Sequence, residues 1–469
     1  MGPMTAARRL RHLSPESRVR LGVEARARLP VEAHSELIAT GRSDPVQVVN
    51  DQAKCRLTEL IPLRHARMGE SPFAFYRGSA ALMAADLARV THSGLSVQLG
   101  GDAHLSNFGM FASPDRRLVF DMNDFDETLR GPWEWDVKRL AASLAVAGRA
   151  NSFSDAQIRK VVLSSVRRYQ EAIAAFAELG NLEVWYARME VAQEWARLSD
   201  QLDKGMNKRL AKSIKKAQGR DHRKSLAKLT ELVGGERRIR DDAPTIVRLS
   251  DLTSGVDRQT VEQTVHDVLR QYVRSLTADR RDLARSFRVM DIARKVVGVG
   301  SVGTRCWIVL LAGRDAGDPL FLQVKEAQES VLSRYLGSAR GNEGARVVTG
   351  QRRMQASTDI FLGWAHAVGP DGHKRDYYIR QLHDWKGSAT VESMIPKAMR
   401  LYGQLCAWTL ARAHARSGDR IAVAAYLGDD DGLAQAVAAF ADSYADMNER
   451  DFRRFTEAMQ SGELVPATS

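Results

Sequence analysis

Hydrophobic spacing divides the chain into a helical half, a β-rich insert and a helical end. From Pro72 to Val90 (PFAFYRGSAALMAADLARV) the apolar positions settle into helical spacing, and SVQLGG then alternates apolar and small residues as a short strand. The polar loop GDAHLSNFG follows. RRLVFDMNDFDE reads as a second strand running into an acidic turn, and PWEWDVKRLAASLAVAGR as an amphipathic helix, so loop and turn are expected to face each other across a hairpin. Residues 155 to about 285 read as a helical block that includes IRKVVLSSVRRYQEAIAAFAEL and TVEQTVHDVLRQYVRSL. At about Lys295 the texture changes. VVGVGSVGTRCWIVLLAG, PLFLQVKEA and RDYYIRQL are β-rich, separated by turns and by the helix-like ARVVTGQRRMQA. After Ser388 helices resume through MRLYGQLCAWTLARAHAR and LAQAVAAFADSYADM.

A length of 469 residues suggests two to four structural units, or a bilobal enzyme with insertions, and 44% hydrophobic with 27% charged residues is a soluble globular composition. The net charge of +12 favours anionic partners without choosing among nucleotides, nucleic acid and acidic surfaces. Cys55, Cys306 and Cys406 stand far apart with no CxxC pair, which argues against a disulfide framework and a cysteine zinc site. No run approaches the roughly 18 to 20 apolar residues of a membrane span, and the arginine-rich N-terminus lacks the apolar core of a secretory signal. A cytoplasmic protein is expected, with residues 1 to about 50 as a partly disordered or loosely docked basic arm. Oligomeric state is not legible.

Lys204 to Lys228 carries ten lysines and arginines interrupted by one acid, Asp221. Such a run is a solvated helical surface or a contact for a phosphate-rich partner such as nucleic acid; the lack of interleaved aromatics argues against a stacking platform for single strands.

The most specific signal is Gly101-Asp102-Ala103-His104-Leu105-Ser106-Asn107, where an aspartate and an asparagine lie five residues apart. A phosphotransferase needs a carboxylate to orient and deprotonate the attacking hydroxyl, and oxygen ligands to hold magnesium against a triphosphate. Asp102 and Asn107 supply both from one loop. The following strand delivers Asp121, Asn123, Asp124 and Asp126 within six positions, and carboxylates so crowded repel one another unless a cation neutralises them.

Together, loop and turn resemble the aminoglycoside phosphotransferase and choline kinase branch of the protein-kinase-like superfamily, whose HGDxxxxN loop precedes a strand ending in IDF or DFG. Gly100 stands where histidine is usual. The resemblance implies that Asp124-Phe125-Asp126 is the metal-binding element, with Asp124 the prime ligand beside Asn107 and Asp126, and Asp121 the competitor. In such enzymes a second aspartate about a dozen residues later buttresses the catalytic loop. Asp136, twelve residues after Asp124, fits that place and favours Asp124; its expected role is to accept backbone N–H bonds.

Gly298-Val299-Gly300-Ser301-Val302-Gly303 matches GxGxxG, a weak signal alone. A Rossmann fingerprint opens a helix, whereas TRCWIVLL reads as a strand, and a P-loop requires Lys-Ser or Lys-Thr where Thr304-Arg305 stands. What remains is a glycine-rich β-hairpin followed by a strand bearing Lys325, an arrangement that resembles the kinase small lobe, in which glycines and a strand lysine meet the phosphates. Gly298, Gly300, Ser301, Gly303 and Lys325 are the candidate ATP-binding residues, with backbone near Gln381 and Leu382 against the base. The lysine's partner stays open among Glu343, Glu326, Glu329 and Gln351.

The glycine motif lies almost two hundred residues after Asp102, the reverse of the usual order, so the resemblance implies circular permutation. From about residue 40 to 455 the chain resembles the bacterial domain-of-unknown-function-2252 family. The fold expected is α+β, a bilobal protein-kinase-like fold with a helical catalytic lobe (51–285), a β-rich nucleotide lobe (286–388) and C-terminal helices on the catalytic lobe (389–469). The expected function is ATP- and Mg2+-dependent phosphoryl transfer to a hydroxyl or amine of a small acceptor. The alternatives are nucleotidyl (AMP) transfer, and a nucleotide-sensing or nucleic-acid-associated protein.

Overall fold

The computed structural model describes residues 13–199, 203–219, 222–234, 236–252, 257–369, 371–382, 385 and 387–464. Helices hold 56% and strands 17%, so the chain is α+β with helix dominant.

Trp133–Ala150 forms the axis of the helical part, buried along almost its whole length. Asp155–Glu178, Pro396–Ser417 and Gly432–Gln460 pack around it. Its small residues, Ala141, Ala142, Ala145 and Ala147, let those neighbours approach closely, which is why one helix is covered on every side. The helices Pro396–Ser417 and Gly432–Gln460 thus pack within the helical part.

Two antiparallel ladders cross the base of this bundle. Ser96–Leu99 pairs with Leu129–Pro132, and Phe108–Ala112 pairs with Leu118–Met122. The GDAHLSN loop joins the first strand to the second, and the acidic turn joins the third to the fourth. Loop and turn therefore lie side by side, and Asn123 N–H donates to the Asn107 carbonyl at 2.8 Å.

The largest sheet is antiparallel and six-stranded, in the order Gly363–Val368, Lys374–Gln381, Pro319–Ala327, Cys306–Ala312, Arg288–Lys295, Ile246–Arg248. Pro319–Ala327 is buried at every position, as a central strand covered on both faces must be. One face is covered by Asp257–Ser275 through Val265, Val268 and Tyr272, whose hydroxyl donates to the Phe361 carbonyl at 2.6 Å. This corrects the expected boundary at 285. A helical period gives a helix and its apolar face but not the partner it packs on, and this helix belongs with the sheet.

The expected N-terminal arm is also corrected. Residues 1–12 lie outside the described residues, but Pro15–Arg28 is a helix capped by Ser14 and docked on Arg420–Leu427. Gly22 makes that contact possible, since a Cβ there would stand 2.2 Å from the Ala422 carbonyl oxygen. Within Lys204 to Lys228, positions 220 and 221 lie outside the described residues, and the rest forms helices Lys204–Gln218 and His222–Leu229. Among the described residues no helix is long and apolar enough to cross a membrane.

Candidate functional site

The loop bearing Asp102 is held from below by Asp136, in the first turn of the central helix. Its carboxylate accepts the N–H groups of Gly100 at 2.7 Å and Gly101 at 3.0 Å, and His414 Nε2 stands 3.3 Å from the same group. Gly101 has φ +81°, and a Cβ there would lie 2.3 Å from the Glu127 carbonyl oxygen, so only glycine suits this bend. At Gly100 a Cβ would meet Met122 Cε at 2.2 Å. A larger residue at position 100 would therefore have to displace the end of the Met122 side chain.

Arg139 lies three residues beyond Asp136, on the same helix face. Its Nε donates to Asp102 Oδ1 at 2.8 Å and its Nη2 to the Tyr76 carbonyl at 2.8 Å, with the guanidinium over the Tyr76 ring. Asp102 Oδ2 faces His104 Nε2 at 3.6 Å. Burial raises the Asp102 carboxyl above the ordinary range and Arg139 opposes that shift. His104 is held far below its ordinary value, by burial first and then by Arg139 and Arg77, so it stands neutral. Asn107 Nδ2 donates to the Asp102 carbonyl at 2.8 Å, which leaves Oδ1 as the oxygen available to a cation.

The acidic turn sorts its three aspartates. Asp121 is buried and committed: Arg412 Nη2 donates to both its oxygens, at 2.6 and 2.8 Å, and the N–H groups of Met122 and Ala356 at 2.9 and 3.0 Å. Among the described residues Asp124 accepts only the Asp126 N–H, at 3.2 Å, and it lines a cavity with Asp102 and Asn107. Burial, then the neighbouring Asp126, raises its carboxyl. Asp126 is fully engaged. It pairs with Lys325, accepts the Ser301 hydroxyl at 3.2 Å and accepts the Tyr378 hydroxyl at 2.8 Å.

Lys325 in turn donates to Ser301 Oγ at 2.7 Å. Antiparallel register puts Lys325 opposite Tyr378 on the next strand, so both side chains leave the same face of the sheet. The lysine's carboxylate partner is therefore Asp126, outside the group that sequence left open. Glu343 instead pairs with Arg346, whose guanidinium bonds the carbonyls of Thr128, Asp126 and Gln328.

The glycine segment is the turn between Arg288–Lys295 and Cys306–Ala312. Gly298 (φ +65°) and Gly303 (φ +91°) occupy backbone space that favours glycine. Arg67 Nη1 donates to the Gly298 carbonyl at 2.7 Å, Arg56 Nη1 to that of Val302 at 2.5 Å, and Leu57 N–H to that of Gly303 at 2.8 Å. Gly298, Gly300 and Ser301 join Asp102, Asn107, Asp124 and Asp126 around one cavity of about 430 Å³. Gly303 lies against the Arg56 side chain and outside that lining.

Gln381 and Leu382 line a second cavity of about 260 Å³, with Asn123, Gln351, Asp359, Phe361 and Arg380. Their N–H groups are already bonded, to Asp359 Oδ2 at 2.5 Å and to the Phe321 carbonyl at 3.0 Å. The backbone contact expected from sequence is thus occupied. Two side-chain atoms stand free instead: Asn123 Nδ2 and Gln351 Oε1 are buried without a hydrogen-bond partner. A relay fixes the latter as an acceptor, since Gln355 Nε2 donates to the Met122 carbonyl and Gln351 Nε2 to Gln355 Oε1.

Among the described residues no group of three His, Cys, Asp or Glu side chains stands ready to hold a metal. Magnesium, however, takes one or two protein oxygens together with substrate phosphates and water, and Asn107 Oδ1 with the nearly free Asp124 fits that demand. Asp126 does not, because three donors hold its oxygens. Arg139, Tyr378, Arg77 and Arg380 escaped the sequence reading; of these only Arg139, by its spacing from Asp136, left a signal there.

The chain matches, over residues 56–458, the family described as uncharacterized protein conserved in bacteria (DUF2252), and it belongs to that family. No curated protein and no solved structure matches it.

Proposed function

We propose that this protein is a kinase-like phosphotransferase that binds ATP with magnesium and moves the terminal phosphoryl group to a hydroxyl or amine of a small acceptor. The observation that carries the proposal is the convergence of Lys325 and Ser301 on Asp126, with Ser301 and Asp126 lining the same cavity as Asp102, Asn107 and Asp124. A glycine turn between two strands, a lysine on the next strand and a helix after it follow the chain order of a kinase small lobe. That lobe lies downstream of the catalytic loop, which supports circular permutation.

Asp102 would receive the acceptor's proton on Oδ2 while Arg139 fixes Oδ1. The acceptor oxygen or nitrogen bonds to the terminal phosphorus, the bond to the bridging oxygen breaks, and ADP leaves. Lys325 and the glycine turn would hold phosphates. Asn107 and Asp124 would hold magnesium, which supplies neutralisation of phosphate charge. The free donor of Asn123 and acceptor of Gln351 suit the edge of a nucleobase, which presents one of each side by side.

Arg380 supports a second reading. Its guanidinium lines the smaller cavity, and a phosphate placed there would reverse the nucleotide and give AMP transfer. Radiolabelled ATP tests both. Label retained from the terminal phosphate means phosphoryl transfer, label retained from the α-phosphate alone means nucleotidyl transfer, and the main proposal expects the first. Asp102→Asn should lower turnover by ~100- to 10,000-fold; an undiminished Asp102→Asn protein overturns the role.

A further inference from the structure

Two arginines that line the larger cavity form no ion pair among the described residues. Arg77 and Arg56 line it with Asp102, Asp124, Asp126, Glu127, Glu326 and Glu329, yet among the described residues neither forms an ion pair with any of the six. Arg77 makes no hydrogen bond among the described residues, and its Nε is buried with no partner. Among the described residues the Arg56 guanidinium bonds only the Val302 carbonyl, through Nη1, and its Nε is likewise buried and unpartnered. Buried polar groups are ordinarily bonded, and an arginine left unpaired beside carboxylates is held for something else.

The two arginines come from a segment that precedes the catalytic loop and has no part in its motifs. Arg77 is in the helix Pro72–Gly78, which Ser71 caps, and Arg56 lies shortly before the turn at Thr58–Leu60. Both meet the glycine turn. A Cβ on Gly300 would lie 3.3 Å from the Arg77 carbonyl oxygen, and one on Gly303 would lie 3.0 Å from Arg56 Cβ. The pair therefore adjoins the glycine turn, whereas Lys325 is engaged by Asp126 and Ser301 and does not line the cavity.

We propose that Arg77 and Arg56 form an anion subsite that binds a phosphate-type oxyanion next to Asp102. This deepens the phosphotransferase proposal and rests on it for the identity of the ligand. The oxyanion is either the nucleotide's terminal phosphate or an anionic group on the acceptor. A guanidinium presents paired N–H donors that match two oxygens of one phosphate, so either source fits the same chemistry. Burial holds both side chains below the ordinary arginine value, an unfavourable state that a bound anion relieves.

Calorimetric titration of the full-length protein tests this in two arms. Pyrophosphate is titrated first, without nucleotide, into the native protein, Arg77→Gln, Arg56→Gln and the double variant. The native protein should bind it, and each single change should weaken binding about 10- to 100-fold. Equal binding by all four overturns the subsite. Arg77→Lys should recover part of the loss, and circular dichroism should show the variants folded, since the Arg77 side chain makes no hydrogen bond among the described residues. ATP, AMP and, on the ADP-loaded protein, inorganic phosphate are titrated second. A loss for ATP but not AMP assigns the oxyanion to the nucleotide. An unchanged ATP affinity with loss of phosphate binding on the ADP-loaded protein assigns it to the acceptor. Pyrophosphate binding that depends on Arg77, with no ATP binding in the native protein, keeps the subsite and overturns the phosphotransferase reading.

Discussion

Lys325 and Asp126 form an ion pair although 199 positions separate them in the chain, and Ser301 and Tyr378 bond to the same carboxylate. One side of the pair comes from the sheet and the other from the turn under the helical bundle. The pair therefore fastens the two parts together beside the larger cavity, which Asp126 lines.

Removing either partner leaves a poorly solvated charge. Lys325→Met and Asp126→Leu should each lower stability by about 2–4 kcal/mol, somewhat less than for a fully buried pair because Asp126 keeps a quarter of its side chain exposed. The double variant should lose less than the sum of the singles. Urea denaturation of the four proteins measures this, and strict additivity would show that the two charges are not coupled.

Asp121 and Asp124 lie three residues apart and should behave oppositely. Asp121→Asn strips Arg412 of the carboxylate it pairs with inside the bundle and should cost about 3–5 kcal/mol. In Asp124 burial and Asp126 hold the folded carboxyl above its unfolded value, so its ionised form opposes folding at neutral pH. Asp124→Asn should leave stability unchanged or raise it, while removing any magnesium-dependent increase in melting temperature with ATP present. Thermal melts with and without magnesium separate the two.

The Asp102–Asn107 spacing, the glycine hairpin, the lysine strand and the Asp136 buttress were readable because each depends on residues close in sequence. What sequence could not give was partnership over distance. The Lys325 partner was sought in nearby glutamates and the following helix, but the strand register and the chain path bring Asp126 to it. Gly344 disfavours a helix by local preference, yet a Cβ there would lie 2.1 Å from the Tyr377 carbonyl oxygen, so the residue serves close packing of the helix Glu343–Met354 on the sheet. The arginine-rich start looked like a loose arm because composition reports charge, not the fit of Gly22 against the Ala422 backbone.

Glu127 gives the cavity a pH dependence. Burial pushes its carboxyl up to about 7, although the Val331 N–H donates to it at 2.8 Å. The folded state binds this proton more tightly than the unfolded chain does, so the contribution to stability is largest at low pH. It declines as pH rises from the unfolded value near 4.5 to the folded value near 7. Glu127→Gln should remove that decline and raise stability at pH 8 by about 2–3 kcal/mol. Denaturation midpoints taken from pH 5 to 8 check it, and parallel curves for the two proteins would rule it out.

The smaller cavity makes a prediction about base recognition that is independent of phosphate chemistry. Gln351 Oε1 is fixed as an unused acceptor by the relay through Gln355 to the Met122 carbonyl, and Asn123 Nδ2 is an unused donor on the same lining. If a base occupies this space, Gln351→Leu removes one bond to it and leaves Lys325, Asp124 and the glycine turn untouched. A bond of that kind contributes about 0.5–1.5 kcal/mol, so ATP affinity should fall about 2- to 12-fold while pyrophosphate affinity stays constant. Asn123→Ala should give a similar pattern. Equal losses for ATP and pyrophosphate would mean that the substitutions act through the shape of the acidic turn, and unchanged ATP affinity in both variants would put the base elsewhere.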